Sequence, residues 1–304
     1  MTHSENANAS PTPGKPSENS NSVTRKLLPL AAFFVAFTTV MTVLIVYMDN
    51  TAIKHYQFRV NMSQDYDLLG VSQDDPQLVT YIREVHLSSA YEPNHKPKQE
   101  PRKEDEEMSE DTAFVVRLLD KKNGFFVEAG AYDDGRTSKT AYLERRLRWR
   151  GLLVQPDPRR YFALKKQARR LSKAVHACLS PSPYPKEVSV RTEGGEGVAA
   201  TPGLLDADGA DWFNTRVKCF PLYSVLLAAN ATRVDYLVLS TGGTELQVLE
   251  TVPFGNEVEL RVINVRGGGG ESGAVKEFLE SKGYELAKSF GESDVFLLKS
   301  MGSG

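Results

Sequence analysis

The residues best placed for chemistry follow a buried-strand pattern near the middle of the chain. The stretch FFVEA at 125–129 is followed by Gly130 and then by Asp133. A glycine directly after a strand lets the backbone approach a ligand closely, while Glu128 and Asp133 supply carboxylates that receive a ligand's polar groups. A single glycine motif of this kind is common, so the elements that position it decide whether it belongs to a site.

Those elements alternate between strand and helix patterns over residues 111–300. Each short apolar run is followed by an amphipathic stretch, and the runs are FFVEA, GLLVQ, AVHACL, YLVLS, VELRVINV and DVFLLK. Strands buried on both faces and joined by right-handed helical crossovers give this alternation. We therefore predict an α/β domain with a doubly wound, mostly parallel sheet. The Gly-, Ser- and Asp-rich span 180–215 fits no such unit and is expected to be a surface excursion.

Several blocks of this domain resemble the FkbM-type S-adenosylmethionine-dependent methyltransferase family over roughly residues 111–299. The blocks are FVEAGAYDDGRTSKTAYLE, WRGLLVQPDP, ACLSP, CFPL and YLVLSTGGTELQVL. The resemblance implies a Rossmann-like methyltransferase sheet with its cofactor site outside the carboxyl ends of the strands. With an apolar N-terminal segment, ACLSP and CFPL are most similar to the type II secretory-pathway members of this family. That resemblance alone implies a role in moving membrane-tethered EGF-receptor ligand precursors out of the endoplasmic reticulum.

The resemblance also implies which residues would hold the cofactor after the first two strands. Glu128, Gly130 and Asp133 keep the first turn, although Asp134-Gly135 follows where the family reads Gly-Glu. After the second strand, Gln155 stands where the family places a carboxylate for the ribose hydroxyls. A hydrogen bond to a neutral group is worth less than one to a charged group, so this change is expected to weaken binding.

The later strands depart further from the family pattern. Ser240 and Gly242, in LSTGG, replace the two carboxylates of the family's Leu-Asp-Val-Glu-Gly. Glu245 is retained, but it opens a helix, where an acidic residue also suits the helix dipole. After the next strand Arg266 stands where the family has a glutamate, which reverses the charge.

From these losses we predict a pocket without catalytic residues and a domain that binds no cofactor. An acceptor methyltransferase must hold a cationic sulfonium and often needs a general base, and both tasks suit the missing carboxylates. The alternative is an active S-adenosylmethionine-dependent O-methyltransferase with a rearranged pocket built from Glu128, Asp133, Asp134 and Glu245. A membrane-anchored adhesion or scaffold domain is a third possibility.

A membrane anchor is predicted at residues 25–49, because the run LLPLAAFFVAFTTVMTVLIVY at 27–47 carries no charge and suffices for a hydrocarbon core of about 30 Å. A cleaved signal peptide would have a shorter apolar run ending in small residues. Arg25 and Lys26 precede the run and Asp49 follows it, which predicts a cytosolic N-terminus and a lumenal C-terminal domain.

The remaining segments complete this organisation. Residues 1–24 are polar and are expected to form a disordered cytosolic tail. Residues 50–110 read as a stem and linker with a short helix near 76–87. The location expected is the endoplasmic reticulum or Golgi membrane, with the endosome or plasma membrane as alternatives, and the expected partner is a membrane-tethered growth-factor precursor or other secretory cargo.

Three features bear on the lumenal placement. Asn61 and Asn230 begin glycosylation sequons beyond the anchor, whereas the sequon at Asn8 lies in the tail and should stay unmodified. Cys178 and Cys219 also lie beyond the anchor and are either bridged, as an oxidising compartment favours, or two buried thiols.

Charge and spacing exclude other classes of function. The net charge of −2 gives no reason to expect nucleic acid as a partner, and the histidines and cysteines show no metal-site spacing. A helix predicted from residue 158 to residue 171 carries a basic face formed by Arg159, Lys166 and Arg170, which Lys173 extends. Such a face is usually a solvated surface, and the alternative is a site for an acidic partner segment or a glycan.

Overall fold

The computed structural model describes residues 20–63, 70–91, 108–131, 138–167, 169–191, 214–266, 272–291 and 293–299. The chain divides into two compact units, Met1–Gln57 and Phe58–Gly304. Helix α1, Ser20–Ser63, begins in the first unit and ends in the second. Its stretch Leu27–Met62 is long and apolar enough to cross a membrane, and the side chains of residues 27–48 are exposed.

Seven further helices and eleven strands occur in the described part of the second unit. The helices are α2 Pro76–Tyr81, α3 Glu110–Leu119, α4 Ala141–Leu147, α5 Pro158–Lys165, α6 Leu222–Ala229, α7 Glu245–Glu250 and α8 Ser272–Ser281, and a π-helical turn, Ile82–His86, follows α2. The strands are β1 Leu87–Ser89, β2 Phe125–Ala129, β3 Arg150–Val154, β4 Ser172–Val175, β5 Cys178–Leu179, β6 Lys186–Arg191, β7 Asn214–Phe220, β8 Arg233–Leu239, β9 Glu259–Arg266, β10 Tyr284–Phe290 and β11 Ser293–Leu298.

The large sheet has eight strands in the order β1-β4-β3-β2-β8-β9-β11-β10. Strands β4, β3, β2, β8 and β9 pair in parallel, while β1 and β11 run antiparallel to their neighbours. The order reverses direction at β2, because the chain first adds β3 and β4 on one side and later adds β8 and β9 on the other. This is a doubly wound sheet with a switch point between β2 and β8, which is where ligands bind in such folds.

Apolar residues on both faces of the strands explain why helices cover both sides. In β2, Val127 packs with α6, α7 and α8 in one buried cluster, whereas its neighbour Phe126 packs with α3, α4 and α5 in the other. Successive side chains of a strand point to opposite faces, so a continuous apolar run requires a layer on each side. The α/β sheet with helical crossovers that the sequence predicts is therefore confirmed.

The large sheet also takes in residues that precede the predicted start of the domain at 111. Strand β1 pairs with β4, and Leu78 and Ile82 are fully buried in one core cluster. Phe58 and Met62, in the last turns of α1, belong to the same cluster. Part of the predicted stem is thus packed against the sheet because its helical apolar stripe needs a partner.

Two elements differ from the sequence predictions. The run 174–179 divides into β4 and β5, and β5 joins a separate three-stranded sheet in the order β5-β7-β6. Strands β6 and β7 lie at the two ends of the span predicted as a surface excursion, 180–215. Helix α5 ends at Lys165 and not at residue 171, because the side chain of Arg169 is buried in the interior instead of lying on an exposed helix face.

Candidate functional site

A cavity of about 730 Å³ opens at the carboxyl ends of β2, β8 and β9. Glu128, Gly130 and Ser240 from the predicted pocket line it together with Arg266. The start of α3 and the turn between β10 and β11 form its remaining walls. Gln155, Gly242 and Glu245 are not among the described residues that line it, so the structure brings together only part of the predicted pocket.

Glu128 is buried, with an exposed fraction of 3%, and its carboxylate is held by the segment that leads into α4. One oxygen accepts hydrogen bonds from Ser138 Oγ at 2.6 Å and Thr140 Oγ1 at 2.5 Å. The other accepts from the backbone N–H of Lys139 at 3.0 Å. The carboxylate that the resemblance assigns to the cofactor is therefore hydrogen-bonded within the chain.

Gln155 is fully buried, and both ends of its amide bond to the backbone. Its Nε2 donates to the carbonyl of Ala131 at 2.6 Å, and its Oε1 accepts from the N–H of Asp157 at 2.9 Å. These bonds join the loop after β2 to the loop after β3. The side chain that stands at the family's ribose position thus has a structural role here.

Glu245 closes the turn after β8. Its Oε1 accepts from the N–H groups of Thr241 at 2.7 Å and Gly242 at 2.9 Å, and its Oε2 accepts from Gly243 at 2.8 Å. Three donors that would otherwise be unsatisfied are paired in this way. Gly242 has a φ of 78° and Gly243 one of 103°, which explains why this turn is built from glycine.

Gly130 also has a positive φ, of 84°, and it packs directly on the next strand end. A Cβ placed at Gly130 would lie 2.4 Å from the carbonyl oxygen of Ser240. The glycine is therefore required by the approach of β2 to β8. Its presence needs no bound ligand to explain it.

Asp111 is a buried carboxylate of this cavity that the sequence did not identify. It accepts hydrogen bonds from Lys139 Nζ, from Asn264 Nδ2 at 2.8 Å and from Ser293 Oγ at 3.1 Å, and also from Ser109 Oγ. Burial by itself raises the pKa of Asp111, but the hydrogen bonds and the charge of Lys139 outweigh it and hold the pKa below its ordinary value. In the sequence Asp111 directly follows an acidic linker, so nothing distinguished it from the exposed carboxylates expected there.

A second buried ion pair lies beside Glu128. Arg169 and Glu144 are almost fully buried, and Arg169 Nε donates to Glu144 Oε2 at 2.6 Å. The guanidinium also donates to Ser138 Oγ and Thr140 Oγ1, each at 2.9 Å. The two hydroxyls therefore link this pair to Glu128, and nothing in the sequence distinguished Arg169 from its basic neighbours.

The four residues of the predicted basic face do not lie on one helix. Arg159 and Lys166 are exposed at the two ends of α5, and the ring of Tyr91 lies 4.7 Å from the Arg170 guanidinium. Lys173 is exposed on β4 and lines a different cavity, at the amino ends of the strands. The helix that was predicted to align these residues ends at Lys165, so Arg170 and Lys173 lie outside it.

The other predicted positions are placed as follows. Cys178 and Cys219 form a disulfide between β5 and β7. Asn61 and Asn230 are exposed, and Asn230 Oδ1 accepts a hydrogen bond from Arg83 at 3.3 Å. Asp133, Asp134 and Asn8 lie outside the described residues.

The predicted pocket differs in its hydrogen bonding from the cofactor site that the resemblance implies. Among the predicted pocket residues that the structure describes, the side chains of Glu128, Gln155 and Glu245 bond within the chain. Arg266 lines the same cavity, whose other charged lining residues are Glu110, Asp111, Glu128, Lys139 and Lys288. No group of three or more potential metal-ligating side chains occurs in the described ranges.

No protein-family model matches the chain, and no curated protein matches it. Among solved structures it is similar to a precorrin-6y C5,15-methyltransferase from Geobacter metallireducens GS-15, with a TM-score of 0.34, 14% identity and coverage of 67% of this chain and 100% of that chain. It is similar to human methyltransferase 10 domain containing protein, with a TM-score of 0.33, 12% identity and coverage of 62% and 79%.

A third similar structure is phosphoethanolamine N-methyltransferase 1 from Haemonchus contortus, in complex with phosphoethanolamine and S-adenosylhomocysteine. The TM-score is 0.32, the identity is 9%, and the match covers 64% of this chain and 41% of that chain. These values are too low to assign a family or an activity. The fold itself is a doubly wound α/β sheet with its switch point between β2 and β8 and with β11 antiparallel to β9.

Proposed function

We propose that this chain is a non-catalytic, membrane-anchored protein of the secretory pathway whose methyltransferase-like domain binds a client protein. The proposal rests on the hydrogen bonds that the side chains of Glu128, Gln155 and Glu245 form. Each of them bonds to its own chain where a methyltransferase would need it for the cofactor. The apolar helix Leu27–Met62 supports the anchor, and the disulfide agrees with an oxidising compartment.

The client follows from the sequence resemblance. Within the FkbM-type family the anchor, ACLSP and CFPL are most similar to protein Star, which implies that the client is a membrane-tethered EGF-receptor ligand precursor. In this proposal the lumenal domain holds the precursor for export from the endoplasmic reticulum to the Golgi, and the N-terminal tail faces the cytosolic sorting machinery.

An active S-adenosylmethionine-dependent O-methyltransferase is the competing function. Glu110 is an exposed carboxylate at the opening of the same cavity, and it is the group that such an enzyme would have as a general base. The two functions differ most sharply in whether the domain binds the cofactor.

Isothermal titration of the full chain in detergent micelles with S-adenosylmethionine separates them. We expect no binding at cofactor concentrations up to about 1 mM, since an enzyme's ligand commonly binds in the micromolar to millimolar range. Binding in the micromolar range would overturn the non-catalytic proposal. Co-precipitation with a tethered EGF-like precursor, and loss of its export when the chain is depleted, tests the client, and an unaffected precursor would contradict it.

A further inference from the structure

A second cavity lies at the amino ends of the strands, opposite the edge where a cofactor would bind. Its volume is about 450 Å³. The residues on which its properties depend are Phe125, Arg150, Leu152, Lys173, Ala231 and Arg233. We refer to it as the amino-edge cavity, and neither the sequence patterns nor the proposed function assigns it a role.

All the charged side chains among the described residues that line the amino-edge cavity are positive. Arg150, Lys173 and Arg233 are exposed at its rim, and none of them forms an ion pair with a described residue. No carboxylate occurs among the described residues that line the cavity. Glu259 lies next to Arg233 in the register of β8 and β9 but is not part of the lining.

The nearby acid on β8 is already paired. Asp235 accepts hydrogen bonds from Lys121 Nζ at 2.6 Å and from the backbone N–H of Phe125 at 2.9 Å. Its charge is therefore already balanced by Lys121, whereas Arg150 and Lys173 have no described acidic partner. A concave site lined by one sign of charge concentrates ligands of the opposite sign.

The spacing of the cations excludes a small ion as a ligand for all three. Lys173 lies on β4, Arg150 on β3 and Arg233 on β8, so the outer two are separated by three strand spacings, or roughly 14 Å across the sheet. They are also offset along the strands, since Lys173 is in register with Leu152 and Arg150 with Phe125. An extended peptide places alternate side chains on one side about 6.8 Å apart, which matches a row of this length.

We propose that the amino-edge cavity binds an extended acidic segment of a partner protein, with carboxylates against Arg150, Lys173 and Arg233. Phe125 is partly exposed beside the buried Leu152 and Ala231, so an apolar side chain can pack on its ring between the carboxylates. This combination of apolar floor and charged rim resembles the arrangement of protein interfaces. A sulfated glycan offers the anions but not the apolar side chain.

The inference rests on the proposed client-binding function and names the surface that would serve it. The test uses the full chain in detergent micelles, carrying Thr232→Ala so that no glycan is attached at the adjacent Asn230. The probe is a fluorescein-labelled peptide of alternating glutamate and leucine, followed by fluorescence anisotropy. The variant is Arg150→Gln combined with Arg233→Gln, and the matched control is Arg159→Gln, an exposed arginine on α5.

We expect the double variant to lose about tenfold or more in affinity, because two charge-assisted contacts are removed. The control should bind like the parent, and a peptide with lysine in place of glutamate should not bind. An unchanged thermal midpoint shows that the double variant is folded. Equal binding by parent and double variant, or stronger binding of a sulfated disaccharide than of the peptide, would overturn the inference.

Failure of this inference is distinguishable from failure of the proposed function. If a tethered precursor co-precipitates equally with the parent and with the double variant, the amino-edge cavity is not the client site and the proposed function stands. If the parent itself captures no precursor but binds S-adenosylmethionine, the proposed function fails.

Discussion

Gln155 is buried and bonds to the backbone at both ends of its amide. We expect Gln155→Glu, which introduces the carboxylate that the resemblance implies at this position, to lower the free energy of unfolding by about 1–3 kcal/mol, because a buried charge would face the Ala131 carbonyl. Cofactor binding should not appear. Denaturant unfolding and calorimetry measure the two effects, and Gln167→Glu, at a partly exposed position, is the control. Micromolar cofactor binding with unchanged stability would show that the pocket is latent.

The lowered pKa of Asp111 predicts how the free energy of unfolding depends on pH. Its pKa is lowered in the folded state, so its contribution is fully present above the unfolded-state pKa, about 4, and is lost as the pH falls through the lower folded-state value. Asp111→Asn should reduce stability at neutral pH by about 1.5–3 kcal/mol and flatten the decline below about pH 4. Unfolding curves between pH 7 and 2 test this, with Asp120→Asn, at an exposed position, as control. An equal acid slope in the variant and the parent contradicts it.

At the scale of elements, Arg169 connects α4 with the segment before it and with the chain that leads into β4. Arg169→Met leaves the Glu144 carboxylate buried without its cation, and such a loss costs about 3–5 kcal/mol. The exposed neighbour Arg170→Met, which loses its contact with the Tyr91 ring, should cost under about 1 kcal/mol. Denaturant unfolding compares the two variants.

The reason for the Arg169 effect is itself testable. If the cost comes from an uncompensated buried charge, then Glu144→Leu added to Arg169→Met should restore much of the stability, because an apolar pair can replace a buried ion pair. A double variant as unstable as the single one would show instead that the hydrogen bonds to Ser138 and Thr140 carry the stabilisation.

Elements buried on both faces were predictable, and those governed by one distant contact were not. Strand β2 has the predicted bounds, 125–129, because its apolar run requires cover on both sides. Helix α5 was predicted to be too long, since helical spacing continues to residue 171 and gives no sign that Arg169 pairs with Glu144. Strand β10 was missed because most of its residues are exposed at the sheet edge.

The candidate site, like the fold, was predictable only in part. The resemblance indicated at which positions this chain lacks the carboxylates of the FkbM-type family, since that is a matter of residue type. It did not indicate that Glu128 and Glu245 bond within the chain, because those partners are set by how the loops fold. The amino-edge cavity depends on residues from β3, β4 and β8, whose alignment follows from the register of the sheet.

At the scale of the whole molecule, the disulfide makes the free energy of unfolding depend on whether the compartment is oxidising. Cys178 and Cys219 are 41 residues apart, and closing a loop of that length stabilises by about 4 kcal/mol in the chain-entropy model. The double variant Cys178→Ser and Cys219→Ser should be less stable than the parent by about this amount. It should also be insensitive to a reducing agent that destabilises the parent. Equal sensitivity to reduction would show that the bridge is not responsible.

The glycosylation sequons test the orientation of the whole chain across the membrane. With the predicted lumenal domain, Asn61 and Asn230 receive glycans and Asn8 does not, because only the lumenal side is glycosylated. Both predicted sites are exposed, so folding does not hide them, and a glycan on Asn230 Nδ2 leaves Oδ1 able to accept its hydrogen bond from Arg83.

Removing each site by Asn→Gln should then reduce the glycosidase-sensitive gel shift in one step at Asn61 and one step at Asn230, and Asn8→Gln should change nothing. A shift that depends on Asn8 and on neither of the other two would reverse the orientation. A glycan at Asn230 would also stand at the wall of the amino-edge cavity. Its occupancy in cells therefore determines whether that cavity is open to a partner, and the parent should bind the acidic peptide less tightly than Thr232→Ala when Asn230 is glycosylated.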